Sequence, residues 1–263
     1  MQNMKDFLLK ALSKITKNEF HPGGYWGTEM RFLLGFYEPE SVALCKKFIK
    51  PGMNVLDIGS DIGYYAKIFS KLVGQEGKVY AFEPHPFIFG KMLKNLRSLI
   101  FKNVYPVQAA VSDKMGKTFL YETKKHGRHS LFDVSKYDEK FEAIGKIPIH
   151  TVVLDDFLEK EGSPRIDFFK IDVEGGEIGA LKGMEKTIKR SNRLAGIIEF
   201  NANALSAAGE DPSQFINILH NFGFEVKEIA LTGALKDIDQ ETHNVAKKLS
   251  VNLFCFKGRG SKY

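Results

Sequence analysis

A short apolar run, Val55-Leu56-Asp57-Ile58, ends against two glycines, Gly59 and Gly63, and an amphipathic stretch starts at once with Tyr64, Tyr65, Ile68, Phe69 and Leu72. Strand, glycine turn and helix in that order open the nucleotide-binding α/β folds. Gly59 allows the sharp turn, and Gly63 lets helix and ligand approach without a Cβ between them. The next apolar run, from Lys78 to Phe82, ends in Glu83-Pro84. An acid at the tip of the second strand, about 20 residues past the glycines, is placed to accept hydrogen bonds from two ribose hydroxyls. Glycines alone are a weak signal; glycines followed by that acid are a stronger one.

The dinucleotide fingerprint GxGxxG holds a pyrophosphate at its helix N-terminus. Here Asp61 stands in the middle position, where a carboxylate repels a pyrophosphate. S-adenosylmethionine (SAM) has no phosphate and carries an ammonium and a sulfonium, so an acidic turn suits it. Asp61 can equally be a helix N-cap, and Asp57 a carboxylate that only orients the loop. These plainer roles are compatible with the ligand role, and SAM is preferred to NAD.

Alternation of strands and helices runs through most of the remaining chain. Helix 61–73, strand 78–82, helix 86–100 and strand 103–108 lead to a polar segment with Ser112-Asp113 and Gly116, then a short strand at 118–121. Strand 147–153, a short helix 155–159, strand 166–171, helix 176–190, strand 194–199, helix 212–222 and strands 224–230 and 251–256 follow. This pattern predicts a mostly parallel sheet with helices on both faces. The last two strands lack a helix between them, so the final strand is expected antiparallel and inserted beside the sixth. Residues 123–146 are the least regular and carry Lys124, Lys125, His126, Gly127, Arg128 and His129; a loop of this length is usually functional or disordered. Residues 1–17 read as an amphipathic helix, with Met4, Phe7, Leu8, Leu12 and Ile15 opposite Lys5, Lys10, Lys14 and Lys17. Such a helix packs on its own domain or a dimer mate, or lies on a membrane. Residues 20–27 form a loop in which Tyr25 and Trp26 either line a substrate mouth or plug the domain base. Pro39 and its flanking acids Glu38 and Glu40 suit a helix start. With no internal repeat or linker, the expected division is a lead-in segment, 1–36, and one domain, 37–263.

Composition limits the rest. The 263 residues are 43% hydrophobic and 27% charged, ordinary for a soluble globular chain. Cys45 and Cys255 lie far apart in apolar runs, which reads as core thiols in a reducing compartment rather than a disulfide or metal pair. No signal-peptide pattern or run of transmembrane length is visible, so the expected location is cytoplasmic. A net charge of +6 permits contact with nucleic acid or anionic membrane, but the lysines are dispersed, and nucleic acid is not the expected partner.

A second cluster, Phe169-Lys170-Ile171-Asp172-Val173-Glu174-Gly175-Gly176-Glu177, puts Asp172 and Glu174 at the carboxyl end of a strand, and Glu199 reaches the same rim from the next. Three converging carboxylates can orient a cationic methyl donor, bind a divalent cation or act as general base. In the plain alternative Asp172 and Glu177 cap the following helix while Lys170 pairs with a neighbour. The cap is preferred for Glu177, function for Asp172 and Glu174.

Five segments, Val55 to Tyr65, Ala81 to Pro86, Gln108 to Asp113, Lys170 to Glu177 and Ile197 to Phe200, together resemble FkbM-type methyltransferases. These are class I SAM-dependent enzymes that act mostly on hydroxyl oxygens of sugars and macrolide natural products. The resemblance spans residues 37–256. It implies a Rossmann-like, seven-stranded, mostly parallel sheet with an antiparallel last strand. Asp57, Gly59, Ser60, Asp61 and Gly63 would then form the methionine-side turn, and Glu83 with Pro84 would hold the ribose. Gln108, Ala109, Ala110 and Val111 would border the adenine. Asp172 would stand by the methionine amine and methyl, with Glu174 and Glu199 on the acceptor side, and Tyr37-Glu38 would fold over the cofactor. Asp61 departs from the family, which often has Asn there. Glu174 or Glu199 is the expected base, with His126 and His129 as outside candidates. No resident metal is expected. The expected acceptor is a hydroxylated small molecule or glycan, anionic if the basic loop 123–146 contacts it, and a homodimer is open. A nucleic-acid methyltransferase, a metal-assisted O-methyltransferase with Asp172, Glu174 and Glu199 as oxygen ligands, and a non-catalytic SAM-binding module are the alternatives.

Overall fold

The computed structural model describes residues 2–16, 26–123, 129–137, 143–238 and 250–258. Helices α1 (Gln2–Thr16) and α2 (Trp26–Leu34) precede α3 (Pro39–Phe48). Strand β1 (Asn54–Ile58), α4 (Tyr64–Val73), β2 (Lys78–Phe82), α5 (Pro86–Leu96) and β3 (Val104–Val107) form the first half of the main sheet. Strands β4 (Ala110–Val111), β5 (Gly116–Thr123) and β6 (Ala143–Val152) come next. They are followed by α6 (Leu154–Lys160), β7 (Phe168–Ile171), α7 (Glu177–Gly183), α8 (Glu185–Arg190), β8 (Leu194–Asn201) and α9 (Ala202–Ala207). The last elements are α10 (Phe215–Asn221), β9 (Glu225–Ile229), β10 (Leu235–Asp237) and β11 (Ser250–Lys257).

Among the described residues the main sheet has eight strands in the order β10-β9-β11-β8-β7-β1-β2-β3. From β8 to β3 all neighbours are parallel, and β11 lies antiparallel between β8 and β9, as the missing helix before it implied. This is a Rossmann-like, mostly parallel sheet with one antiparallel strand inserted near its edge, as the resemblance implied. The seven-strand expectation is one short, because Gly233, at φ +79°, turns the chain after β9 and lets Leu235–Asp237 pair back on it. A second difference is larger. Strands β4, β6 and β5 form a separate three-stranded sheet, so part of the segment expected to be irregular is the end of a long antiparallel hairpin.

Buried strands explain why the sheet can carry helices on both faces. The pattern of β7 is Phe-Phe-Lys-Ile with every residue buried, and successive side chains enter opposite cores. Phe168 joins Val55, Phe69, Val79 and Phe254 under α3, α4 and α5. Phe169 joins Leu56, Phe82, Leu158 and Phe200 under α6, α7, α8 and α10. Cys45 and Cys255 are free, buried thiols within these cores, as their apolar surroundings suggested.

Several helix boundaries differ from expectation, and α5 ends at Leu96 rather than at residue 100. Helix α4 starts at Tyr64 with Gly63 as its N-cap, so Asp61 is not a cap; it sits in the turn at φ +51°. The stretch 176–190 is two helices, because the Asp155 carboxylate accepts the backbone N–H groups of Lys186 (2.7 Å) and Thr187 (2.8 Å) and so starts α8 afresh. Residues 212–214 are a 3-10 turn before α10. Helices α2 and α9 were not anticipated. Tyr25, the Trp26 side chain, Lys124, Lys125, His126, Gly127 and Arg128 lie outside the described residues.

Two glycines make opposite predictions. Gly59 has φ +84°, and a Cβ there would fall 1.8 Å from the Asp172 carbonyl oxygen. Gly90 lies inside α5 with nothing near its missing Cβ. In urea unfolding, Gly59→Ala is expected to cost roughly 2–4 kcal/mol, and Gly90→Ala to add roughly 0.5–1 kcal/mol.

Candidate active site

Asp57, Glu83 and Asp172 stand at or just past the carboxyl ends of the adjacent parallel strands β1, β2 and β7. After β1 the turn Gly59-Ser60-Asp61-Ile62-Gly63 closes with Gly59 N–H and Ser60 N–H both donating to the Phe82 carbonyl, so the turn is stitched to β2. Glu83, at the end of β2, is buried and ties the same turn to the next one. One carboxylate oxygen accepts from Asp61 N–H (3.0 Å) and the other from His85 N–H (2.8 Å), with Pro84 between. Gln108 is exposed just past β3, beside Glu83, whose N–H donates to Val107. Ala109, Ala110 and Val111 are buried behind it.

Asp57 is buried beneath the glycine turn, and its Oδ2 has no hydrogen-bond partner. Burial pushes its carboxyl up to about 6, against the pull of Lys170. Lys170 is itself buried, donates to Asp172 Oδ2 at 2.5 Å and lies 4.6 Å from the centroid of the Tyr65 ring. Burial lowers its pKa, but Asp172, Glu38 and Asp57 outweigh that and hold it above the usual lysine range. Tyr65 in turn donates to Glu38 Oε2 at 2.6 Å. A single buried ammonium therefore connects β1, β7 and the segment before α3.

Tyr37 and Glu38 are held against the start of α4 by Tyr64 and Tyr65. Glu38 takes the left-handed conformation, φ 43°, and Tyr64 donates its hydroxyl to the Tyr37 carbonyl at 3.0 Å. The Tyr37 phenol is raised by burial first, then by Glu38, Asp172, Glu199 and Asp61, acids from four different parts of the chain. Glu199 and Asp172 share a side-chain hydrogen bond, and Ser250 of β11 donates to Glu199 Oε1 at 2.8 Å. Burial, then the charges of Asp172 and Glu174, raise Glu199 well above the usual carboxylate range. Glu174 is in the left-handed region at φ 50°; its carboxylate accepts from Asn201 Nδ2 (2.9 Å), and its carbonyl accepts from Ser130 Oγ (2.6 Å).

The structure thus brings Tyr37, Asp57, Asp61, Asp172 and Glu199 together and ties Glu174 into their edge. Glu177 is set apart as a helix-start residue, its carboxylate accepting from Gly175 N–H (3.0 and 3.1 Å) and Val173 N–H (3.3 Å). Burial raises it to about 7. His129 belongs elsewhere: its Nδ1 accepts from Thr123 N–H and its ring stacks 4.4 Å from His85. Sequence reasoning missed the contributions of Tyr65, Asn201 and Ser250, and gave Lys170 only an unnamed neighbour. Among the described residues, no group of three or more His, Cys, Asp or Glu is arranged to hold a metal ion.

The model of the methyltransferase FkbM domain matches residues 57–226, well over half of the chain. The protein belongs to this family. The hexuronic acid methyltransferase AglP of Haloferax volcanii is 29% identical over 163 residues, which cover 62% of this chain and 59% of that protein. The 2-O-methyltransferase NoeI of Sinorhizobium fredii is 26% identical over 152 residues, 54% of this chain and 61% of its own. The chain therefore spans about six-tenths of the length of these relatives. A SAM dependent methyltransferase from Aquifex aeolicus superposes with a TM-score of 0.46 at 18% identity, covering 94% of this chain and 97% of that one.

Asp57 gives a pH test. Its folded value of about 6 exceeds the ordinary 3.8, so the folded state binds the proton more tightly, and this group's contribution to stability falls as pH rises between the two. Asp57→Asn removes that slope. Unfolding of ligand-free protein should show the variant gaining on wild type by on the order of 3 kcal/mol from about pH 4 to about pH 7. A constant difference would mean that Asp57 does not titrate in this range.

Proposed function

We propose that the protein is a SAM-dependent O-methyltransferase acting on a hydroxyl of a sugar, a glycan or a natural-product acceptor. The carrying observation is the set of carboxylates around the Tyr37 hydroxyl, Glu38, Asp61, Asp172 and Glu199, with Asp57 below and Lys170 as the buried cation among them. A crevice of net negative charge favours a ligand with an ammonium and a sulfonium and works against a pyrophosphate. The residues fit such a ligand. Glu83 is a buried carboxylate at the tip of β2 beside the glycine turn, and Asp57 Oδ2 is a buried acceptor without a donor. In this reading Asp57, Gly59, Ser60, Asp61 and Gly63 hold the methionine side with Asp172. Glu83 and Pro84 hold the ribose, Gln108 to Val111 border the adenine, and Tyr37 covers the crevice.

Bound SAM supplies an activated methyl group and a leaving group that needs no protonation. The protein has to align the acceptor and remove its hydroxyl proton. Alignment can lower the barrier by roughly 7–11 kcal/mol, and a positioned base accelerates by about 10²–10⁴-fold. Glu199 is our choice of base. Its carboxyl shares a proton with Asp172 in this structure; a cationic donor bound beside the pair favours loss of that proton to solvent, after which the Glu199 carboxylate can take the proton of the acceptor hydroxyl. Glu174, held by Asn201, shapes the acceptor side, and Asp172, fixed by Lys170, faces the methyl donor. Relatives named for hexuronic acid and 2-O methylation support a sugar hydroxyl, and a net charge of +6 suits a sugar acid. The buried free thiols fit a cytoplasmic site of action.

The test separates binding from chemistry. Glu199→Gln should lower kcat on a uronate-bearing acceptor by about 10²–10⁴-fold with S-adenosylhomocysteine affinity nearly unchanged. Retained turnover would assign the base elsewhere. Titration of Glu83→Ala with S-adenosylhomocysteine should show affinity reduced by roughly 10–100-fold, the loss of one to two charge-assisted hydrogen bonds. Wild-type affinity in that variant would remove the ribose assignment.

A further inference from the structure

The first 36 residues and the outer face of α4 carry chemistry that methyl transfer does not use. Helix α1 buries Leu9 and turns Met4, Leu8 and Ile15 outward, 63%, 42% and 76% exposed, with Phe7 beside them at 70%. These positions recur at spacings of four and seven, one stripe of a helix. The helix packs on α2, whose end exposes Leu34 and, one turn on, Phe36 at 67%. Six of the large apolar side chains that stand exposed among the described residues thus fall before residue 37. Lys10 and Lys14 flank the stripe on its polar side. Exposed apolar area at this density marks an interaction surface.

Beneath the end of α2 lies a cavity of about 400 Å³, bounded by α3 and α4. Leu33, Val42 and Ile62 form a buried apolar floor, and Phe32, Ile68 and Leu72 add walls. Its charged lining is Lys46, Lys67 and Lys71, with no aspartate or glutamate. Burial lowers the Lys67 pKa, and the neighbouring charge of Lys71 lowers it further. An apolar floor under a purely cationic rim fits an acyl chain attached to an anionic head. It fits a second copy of this chain poorly, because a two-fold contact across the cleft would bring the lysines against their own copies.

We propose that this face docks the protein on an anionic phospholipid bilayer, with an acyl chain in the cleft under α2 and the lipid phosphate on Lys46, Lys67 and Lys71. Leu34 lines the cleft, Phe36 is exposed two residues on, and the exposed stripe lies on α1, which packs on α2. Lysines of this kind strengthen binding to an anionic surface by about fivefold each, whereas apolar insertion alone is marginal.

The test is co-sedimentation of the full chain with vesicles of phosphatidylcholine alone and of phosphatidylcholine mixed with phosphatidylglycerol. The wild type should partition at least about tenfold more strongly to the mixed vesicles and lose that preference in high salt. The triple variant Lys46→Gln, Lys67→Gln, Lys71→Gln should bind roughly 10–100-fold more weakly with an unchanged melting temperature. Phe36→Ser, a surface change, should weaken binding without altering the salt dependence. Absence of wild-type sedimentation, or a triple variant that sediments like wild type, would overturn the proposal. So would a soluble dimer that Phe7→Ser disperses and that binds neither vesicle, since the face would then belong to a second copy.

Discussion

The buried ammonium of Lys170 is the point on which the crevice depends. It stands at the end of a central strand, fully enclosed, and two acids from different elements approach it: Asp172 at 2.5 Å and Asp57 from the neighbouring strand. Tyr65 lies under it and donates to Glu38. A buried charge is tolerated only when paired and hydrogen-bonded. Each partner therefore becomes necessary to the others, and the lysine fixes the spacing of acids that would otherwise repel. The close approach of Gly59 to the Asp172 backbone is the steric counterpart of the same constraint.

That arrangement is costly to the fold. Asp57 and Glu177 have proton affinities raised by burial, and Glu199 also by neighbouring charge. Glu38, Asp61 and Glu174 all take left-handed backbone conformations that acidic residues adopt only under local compulsion. Among the described non-glycine residues with positive φ, Ser163 alone lies outside this region. Concentrated strain and unfavourable charge are typical of a site organised for a ligand of opposite charge, with stability supplied by the two apolar cores on either side of the sheet. A bilayer-facing surface would add a second role to the same chain: α2 roofs the lipid cleft, and the turn that follows it leads into Tyr37.

The sheet and its ligand edge were legible in the sequence for physical reasons. Strands buried on both faces must be continuous apolar runs, so Val55 to Ile58, Lys78 to Phe82 and Phe168 to Ile171 stood out. An acid closing such a run must sit at the strand's carboxyl end, which located Asp57, Glu83, Asp172 and Glu199. Even the antiparallel β11 followed from a missing helix. Less legible was whatever depended on a partner far away in sequence. Helix α8 starts where it does because of Asp155, some thirty residues earlier. The β5–β6 hairpin was obscured because its strands are mostly exposed and lack a buried periodicity.

By itself, then, the sequence determined the order of strands and helices, the glycine turn and the carboxylates that end the strands. These are set by local sterics and by burial, which act over a few residues. Only the tertiary structure decided which of those acids meet, that Glu199 shares a hydrogen bond with Asp172, and that Lys170 lies among them. Coulomb energy and desolvation depend on distances across the fold, and no spacing along the chain encodes them.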